Sequence, residues 1–300
     1  MPEGDSVRRA ADRMAAALVG RTVTRSDFRV PQHATADLSG QQVLSFEPYG
    51  KHMLTRFSAG LTLHTHFKMD GGWQVVGPGK SLPRTFDEEI RLLLATDGPT
   101  AYALRMPVVE LLPSDQEASV IGHLGPDILG PSWDEEVAVA RLAGDPERPI
   151  VEALLDQRNL AGIGNLWAVE TCFLRGTSPW TPVREVDLPA AARLAKRMMT
   201  HALTHPGQVT TGDTRRGQTH WVYGRAERPC RRCGTPIQFR DAVAGTSYAR
   251  ETWWCPVCQP GPFPSLAERP SRPGLRRGVN EESFGSRGRR LRGDRGYARG

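Results

Sequence analysis

The first residues of the chain, Met1-Pro2-Glu3-Gly4-Asp5, contain a pair that could carry out covalent chemistry. Once Met1 is removed, Pro2 would present a secondary amine, and an α-amine titrates at about pH 7.7–8.0, well below a lysine. A helix that begins here would lower that pKa further, because its N-terminus disfavours another cation. Such an amine can attack a carbonyl-like carbon and form a Schiff base, with Glu3 as its proton donor. The alternative is that Pro2 occupies the second position without a chemical role.

Four of the five cysteines form two Cys-x-x-Cys pairs with 21 residues between them. Four thiolates at this spacing fit a closed tetrahedral zinc site that leaves no position for a substrate, so the Zn²⁺ would be structural. It would stabilise a hairpin that is too small to fold around a core of its own. Cys172 stands alone in a helical pattern and is expected to be a small buried apolar residue. The expected zinc ligands are Cys230, Cys233, Cys255 and Cys258.

The segment Gly162-Ile163-Gly164-Asn165 separates two stretches with helical periodicity. Gly162 and Gly164 permit backbone conformations with positive φ. A helix that begins near Asn165 would offer free N–H groups to a phosphate, and the Asn165 amide could donate as well. The pattern therefore indicates either a phosphate-binding double turn or an ordinary corner between two helices with a capping asparagine.

These motifs, in this order along the chain, resemble those of the formamidopyrimidine-DNA glycosylase/endonuclease VIII family, which cleaves damaged bases from DNA with an N-terminal proline. The resemblance spans residues 2 to about 259, and the Met-Pro-Glu-Gly opening is similar to the endonuclease VIII branch. It implies a bifunctional DNA glycosylase and abasic-site lyase of base-excision repair.

The resemblance also implies a role for each catalytic candidate. Pro2 would attack the sugar C1′, Glu3 would protonate the sugar ring oxygen or the departing base, and the Schiff base would undergo β- and then δ-elimination. Lys51, which follows a glycine at a strand start and could otherwise be a solvated turn residue, would grip the phosphate next to the lesion. Arg250, at or near the tip of the cysteine-bearing hairpin, would contact the flanking phosphate and assist the second elimination.

The DNA-binding candidates that the resemblance implies lie in two segments. Gly164 and Asn165 belong to the helix–two-turn–helix motif, where they would contact phosphate. His66, Lys68 and Met69 lie in the loop that fills the hole left by an everted base, and Met69 is the expected wedge. His66 and the histidine two residues before it share one strand face. No cysteine or carboxylate set nearby completes a metal site, so we expect a packed or DNA-facing pair.

Two features bear on the substrate. The segment Thr210–Arg228 is short, whereas the purine branch of the family usually inserts a longer loop there to cap oxidised guanine. The resemblance therefore implies oxidised pyrimidines or abasic sites in double-stranded DNA. The family's second N-terminal acid is often found where this chain has Ser6, so that carboxylate is missing or replaced. The alternatives are a non-catalytic damaged-DNA-binding protein on the same scaffold, an oxidised-purine glycosylase and a zinc-ribbon nucleic-acid adaptor.

Hydrophobic periodicity predicts the elements that must position these residues. Apolar residues recur at helical spacing from Asp5 to Val19, and eight short strands follow to about residue 112, as in an antiparallel sandwich. Four helical patterns come after residue 133, at Asp134–Ala143, Pro149–Asp156, Asn165–Arg175 and Leu188–His205. The predicted fold class is α+β: an N-terminal helix on a β-sandwich, then a C-terminal helix–two-turn–helix domain with a zinc-finger β-hairpin. The predicted domains are a catalytic domain at 1–124, a linker at 125–133, a DNA-binding helical domain at 134–224, a zinc finger at 225–260 and a disordered basic tail at 261–300.

Charge is distributed unevenly along the 300 residues, whose net charge is +6. Residues 261–300 contain ten Arg and four Asp or Glu, which accounts for the whole excess. A DNA surface in the folded part must therefore come from local clustering of charge. No apolar run approaches the roughly 18 residues of a membrane span, and no secretory signal is evident. We expect a cytoplasmic, nucleoid-associated monomer.

Overall fold

The computed structural model describes residues 2–205, 207–242 and 250–263. The predicted basic tail lies almost wholly outside the described residues, as does most of the predicted tip of the finger hairpin. Within the described ranges the α+β prediction is confirmed: a helix packs on a β-sandwich, and a helical half carries a small hairpin. No helix in these ranges is both long and apolar enough to cross a membrane.

The first helix, α1 (Gly4–Leu18), begins directly after Glu3. Its apolar stripe packs on the sandwich, as the helical spacing predicts. The helix also contacts α6 (Leu188–Thr204) in the other half of the molecule, so its N-terminus lies at the junction of the two halves. The buried residues of the predicted stripe are Val7, Ala10, Ala11, Met14 and Leu18.

All eight predicted strands are present and form two four-stranded antiparallel sheets. They are β1 (Val23–Phe28), β2 (Val43–Tyr49), β3 (His52–Phe57), β4 (Leu61–His66), β5 (Gly72–Val76), β6 (Ile90–Thr96), β7 (Thr100–Leu104) and β8 (Val108–Pro113). The strand orders are β1-β6-β7-β5 and β2-β3-β4-β8. Alternate side chains point inward, so one apolar core lies between the sheets and α1. The tight turn between β2 and β3 carries Lys51, and the end of β4 carries His66.

The helical half surrounds one buried helix. It contains α2 (Ala118–Ile121), which the sequence pattern does not predict, α3 (Glu135–Leu142), α4 (Ile150–Leu155), α5 (Asn165–Arg175) and α6. Asp134 and Asp187 cap α3 and α6 by accepting hydrogen bonds from backbone N–H groups in the first turn. Nearly every residue of α5 is buried, because helices and the finger cover it on all sides. The N-terminus of this helix faces the start of α1.

The cysteine-bearing hairpin consists of β9 (Gln238–Arg240) and β10 (Thr252–Trp254), paired antiparallel. Among the described residues of this hairpin, the apolar side chains form no separate core. Ile237 and Trp253 belong to the same buried cluster as Trp167 and Phe173 of α5. Packing against α5 therefore fixes one face of the finger to the helical half.

Candidate active site

Three loops that are far apart in the sequence meet at the N-terminus of α1. The backbone N–H of Gly4 donates to the carbonyl of Gly162 at 2.9 Å. A β-carbon on Gly4 would lie 2.9 Å from the Gly162 α-carbon, and one on Gly50 would lie 2.8 Å from the Ala161 β-carbon. Because Gly4 and Gly50 have no side chains, the start of the chain can lie next to the β2–β3 turn and the segment that leads into α5.

Glu3 is buried at this junction, with 1% of its surface exposed. Its Oε1 accepts a hydrogen bond of 2.9 Å from the backbone N–H of Leu166, in the first turn of α5. This N–H is one of those that a helix leaves without an internal partner. The other oxygen, Oε2, has no hydrogen-bond partner among the described residues. Among the described residues, the carboxyl is thus anchored to α5 through one oxygen only.

The two glycines of the Gly-x-Gly-Asn motif have different roles. Gly162 has a φ of +106°, a conformation that glycine permits. Gly164 does not use this freedom, because its φ of −128° is ordinary extended backbone. Glycine is required at Gly164 for space, since a β-carbon there would lie 2.3 Å from Glu3 Cδ. The motif thereby makes room for an acid that lies some 160 residues earlier in the chain.

Burial raises the pKa of Glu3 to about 7, although the charge of Lys51 and the hydrogen bond from Leu166 oppose the increase. Burial also lowers the pKa of Lys51, a decrease that Glu3 opposes and Arg250 reinforces. Three of the four predicted catalytic residues therefore lie close enough to influence one another. The fourth, Pro2, is half-buried next to Glu3 in the chain. A carboxyl that titrates near neutrality can give or take a proton at physiological pH.

Asn165 connects this site to the finger. Its Nδ2 donates to the backbone carbonyl of Glu251 at 2.7 Å, and the side chain is 6% exposed. One of the two amide hydrogens that could face a phosphate is therefore bonded to the finger, just before β10. Arg250, one residue earlier in the chain, is exposed, and its charge acts on Lys51. The contact of Asn165 with DNA stays a prediction.

The end of β4 and the following turn carry the other predicted DNA contacts. The backbone N–H of Lys68 donates to His66 Nδ1 at 3.0 Å. Burial, followed by the charges of Lys68 and Lys51, lowers the pKa of His66 to about 4. His66 is therefore neutral at pH 7 with its proton on Nε2, where it can donate. Met69 is 55% exposed, as a wedge must be, and the structure records no contact between it and the Glu3 cluster.

His64, the other histidine of the predicted pair, is packed. It is buried, with Nδ1 2.8 Å from Glu110 Oε2 and Nε2 2.8 Å from His52 Nδ1. Burial, reinforced by the neighbouring histidines, lowers the pKa of His52 to about 3. His52 therefore stays uncharged at pH 7, next to the Lys51 turn.

A buried acid of α5, Glu170, organises the segment 207–223 that follows α6. Its carboxylate accepts backbone hydrogen bonds of 2.8–2.9 Å from three consecutive residues and a further one from the Thr210 hydroxyl. The sequence offered one signal for it: Glu170 is the single charged residue between Leu166 and Leu174 of a largely apolar helical pattern. The three backbone donors are Trp221, Val222 and Tyr223.

Comparison with known proteins identifies the family. The family model for the formamidopyrimidine-DNA glycosylase N-terminal domain matches residues 1–105. Over 282 residues the chain is 51% identical to the probable endonuclease 8 2 of Streptomyces coelicolor, which covers 93% of this chain and 99% of that protein. The chain belongs to the formamidopyrimidine-DNA glycosylase/endonuclease VIII family. It is also 43% identical, over 86% of its length and 99% of the relative, to the DNA-(apurinic or apyrimidinic site) lyase Nei2 of Mycolicibacterium smegmatis.

Solved structures of the formamidopyrimidine-DNA glycosylase/endonuclease VIII family share the fold. The Lactococcus lactis Fpg protein, in a complex with DNA containing N7-benzyl-Fapy-dG, matches with a TM-score of 0.70 at 22% identity. The MutM (Fpg) protein of Thermus thermophilus matches with a TM-score of 0.69 at 29% identity. Each comparison covers 87% of this chain and the whole of the other. The relationship therefore extends across both halves and the finger.

The four cysteines of this family member form a cluster that could hold a metal ion. One sulfur from each of them lies within 4.8 Å of the others. Four thiolates at such separations match the donor set of a closed tetrahedral site. Gln259 fixes the second pair, since its Oε1 accepts from the backbone N–H of Cys255 and its Nε2 donates to the carbonyl of Thr177, both at 2.9 Å.

Proposed function

We propose that this protein is a bifunctional DNA glycosylase and abasic-site lyase that removes oxidised pyrimidines from double-stranded DNA in base-excision repair. Its membership of the endonuclease VIII family supports both activities. The observation that carries the proposal is the buried Glu3 carboxyl beside Pro2, with a pKa of about 7 and an Oε2 without a partner among the described residues. Burying an unpaired polar oxygen costs folding free energy. A protein that only bound DNA would gain nothing from that cost.

In the proposed reaction, the damaged nucleotide leaves the base stack and its sugar enters the site. The Pro2 nitrogen gives its lone pair to C1′ as the bond between C1′ and the base breaks, and Glu3 gives its proton to the ring oxygen or the departing base. As the sugar opens to an iminium, the amine proton passes through solvent to the other of these two groups, so that the ring oxygen and the departing base each gain one proton. This cation acidifies the C2′–H bond, so β-elimination and then δ-elimination release the strand on each side.

Positive charge around Glu3 supports the binding of the phosphates that flank the lesion. The charge of Arg250 disfavours the charged form of Lys51. A bound anion would therefore stabilise the two cations together. A DNA phosphate between them would relieve that repulsion. His66 would add a neutral Nε2–H donor from the adjoining strand end. These groups recognise the backbone and not the base sequence, which suits an enzyme that must find damage anywhere.

The compact segment after α6 supports pyrimidine lesions over purine lesions. The backbone N–H of Thr210 donates to the carbonyl of Thr219 at 2.8 Å, and the Thr211 hydroxyl donates to the carbonyl of Gln218 at 2.6 Å. These bonds close the segment on itself, so a short tip is left to extend over an everted base. A larger bicyclic base would need a longer cover.

We further propose that the metal in the cysteine cluster is zinc, with a structural role. The donor set of four cysteines leaves no position open for water or substrate. The bound ion would hold the loops that carry the two Cys-x-x-Cys pairs and, through β10, the position of Arg250. The chemistry of base removal would stay with Pro2 and Glu3.

Borohydride trapping tests the proposal. Purified protein, with Met1 removal checked by intact mass, is incubated with duplexes that contain 5-hydroxyuracil, 8-oxoguanine or an abasic site. We expect a covalent adduct with the first and third, attached at Pro2. No adduct with any duplex would indicate a DNA-binding protein, and an adduct with 8-oxoguanine in preference to 5-hydroxyuracil would indicate a purine glycosylase. Full strand-cutting activity in protein that retains Met1 would contradict the role of Pro2.

A further inference from the structure

Asp5 is a second acid at the start of α1, and its side chain is wholly buried. Its Oδ1 accepts hydrogen bonds from Trp167 Nε1 at 3.0 Å and from Gln208 Nε2 at 2.9 Å. Its Oδ2 accepts one from Arg9 at 2.9 Å. These donors belong to α5, to the segment 207–223 and to α1. A single carboxylate therefore joins three parts of the chain around the candidate active site.

Ser6, which occupies the position where a second acid is expected, carries no charge. Its hydroxyl lies 3.5 Å from Asp5 Oδ2. The buried carboxylate is thus found one residue earlier, in the same helical turn. Each of its partners among the described residues donates to it.

Asp5 also acts on Glu3 electrostatically. Burial is the largest cause of the raised pKa of Glu3, Lys51 opposes it, and Asp5 adds to it. Arg9 forms an ion pair with Asp5 and so weakens that contribution. Arg250 acts on Lys51 in turn. The other groups that face Glu3 are Tyr223, from the segment 207–223, and the backbone N–H groups of Leu166 and Trp167, from α5.

We propose that Asp5 is the second acid of this active site, a positioning residue that acts through Glu3 and through the segment 207–223. Its buried negative charge opposes ionisation of Glu3 and so keeps the proton donor loaded. Its hydrogen bond to Gln208 holds the segment against α1. This inference rests on the proposed function, because it takes Glu3 as the acid. It also explains why Ser6 carries no charge, because Asp5 supplies the second negative charge one residue earlier in the chain.

Asp5→Asn tests the role of the charge. The amide keeps an oxygen that can accept from Trp167 and Gln208, but it is neutral. Base excision from a 5-hydroxyuracil duplex is measured under single-turnover conditions across a range of pH. We expect the rate of the variant to begin its alkaline decline at a lower pH than that of the wild type. At pH values above the alkaline limbs of both proteins, each pH unit of displacement lowers the rate of the variant about tenfold. Trapping at an abasic site, which needs the amine but no departing base, reports Pro2 separately.

Two further variants separate charge from anchoring. Gln208→Ala keeps the charge of Asp5, so we expect an unmoved alkaline limb and a higher half-saturating DNA concentration. Ser6→Ala is the matched control in the same turn and should coincide with the wild type in both measurements. Arg9→Gln removes the cation paired with Asp5, so its alkaline limb should move to higher pH.

An unmoved limb in Asp5→Asn overturns the proposal, as does an equal loss of rate at every pH, which a purely structural role would produce. If thermal melting shows that Asp5→Asn does not fold, Arg9→Gln provides the test instead. An unmoved alkaline limb in Arg9→Gln would then overturn the proposal. Failure of the proposed function gives a different result, because the wild-type protein would then form no adduct at an abasic site.

Discussion

The carboxyl of Glu3 occupies the space that a side chain at Gly164 would need, since a β-carbon there would lie 2.3 Å from Glu3 Cδ. The backbone of Gly164 is extended, so alanine is conformationally allowed and only the contact forbids it. We expect Gly164→Ala to displace the acid, and a displacement of about 1 Å can lower a reaction rate about 100-fold. Single-turnover excision measures the loss, and thermal melting tests whether the fold survives.

Gly77→Ala is the matched control for this substitution. A β-carbon at Gly77 would meet no described atom within 4 Å, and its φ lies outside the left-handed region. We expect wild-type excision from this variant. Equal rates in Gly164→Ala and Gly77→Ala would mean that the Glu3 position tolerates displacement, contrary to its role as proton donor.

The pKa of Glu3 predicts a change of stability with pH. Burial raises that pKa from 4.5 to about 7, so the folded protein retains a proton that the unfolded chain releases between these values. The contribution of Glu3 to stability is thus fully present below pH 4.5 and is lost as the pH rises towards 7. At about 1.4 kcal/mol for each pH unit in this window, the loss is on the order of 3 kcal/mol.

Glu3→Gln removes this proton linkage and keeps an oxygen to accept from Leu166. We expect the variant to gain stability relative to the wild type as the pH rises through this window, to lose base excision and to keep trapping at an abasic site. Urea unfolding at a series of pH values measures the first effect. If the two proteins lose stability in parallel across the window, another group is responsible for the dependence.

The hydrogen bonds to Glu170 should determine whether the segment 207–223 is ordered. Glu170→Gln places an amide N–H₂ among backbone donors, and leaving buried donors unpaired costs on the order of 3 kcal/mol. We expect faster amide exchange at the three backbone donors and weaker binding of lesion-bearing DNA. Glu136→Gln, at an exposed position of α3, is the control. Unchanged exchange in Glu170→Gln would show that other contacts order the segment.

Metal removal tests the cysteine cluster. We expect one zinc ion per chain, and we expect Cys233→Ser to lower that content and to weaken DNA binding about tenfold or more, a loss of at least about 1.4 kcal/mol. The reason is that the finger carries Arg250, whose charge acts on Lys51. Cys172→Ala, a change in the buried cysteine of α5, should keep the metal. Full DNA affinity in zinc-free protein would show that the metal-bound finger is not needed for DNA recognition.

Local patterns were sufficient for the elements of the fold. The eight strands, α1 and the four longer helices follow from periodicity and from glycine, proline and aspartate at their ends, because burial of one face has a fixed spacing in each kind of element. The single turn α2 has too few residues to show such a spacing. The roles of Gly164 and Asn165 required the structure, because their partners, Glu3 and Glu251, are remote in sequence.

The sequence by itself determined which chemical groups this protein has: an amine precursor with an adjacent acid, four thiols in two pairs, and a glycine-rich turn before a helix. Only the tertiary structure decided their properties. Burial against α5 makes Glu3 a carboxyl that titrates near neutrality, and the bonds of Asp5 to Trp167 and Gln208 place a second charge beside it. The physical reason is that a pKa depends on solvent exclusion and on neighbouring charges, and both depend on segments that meet only in the folded chain.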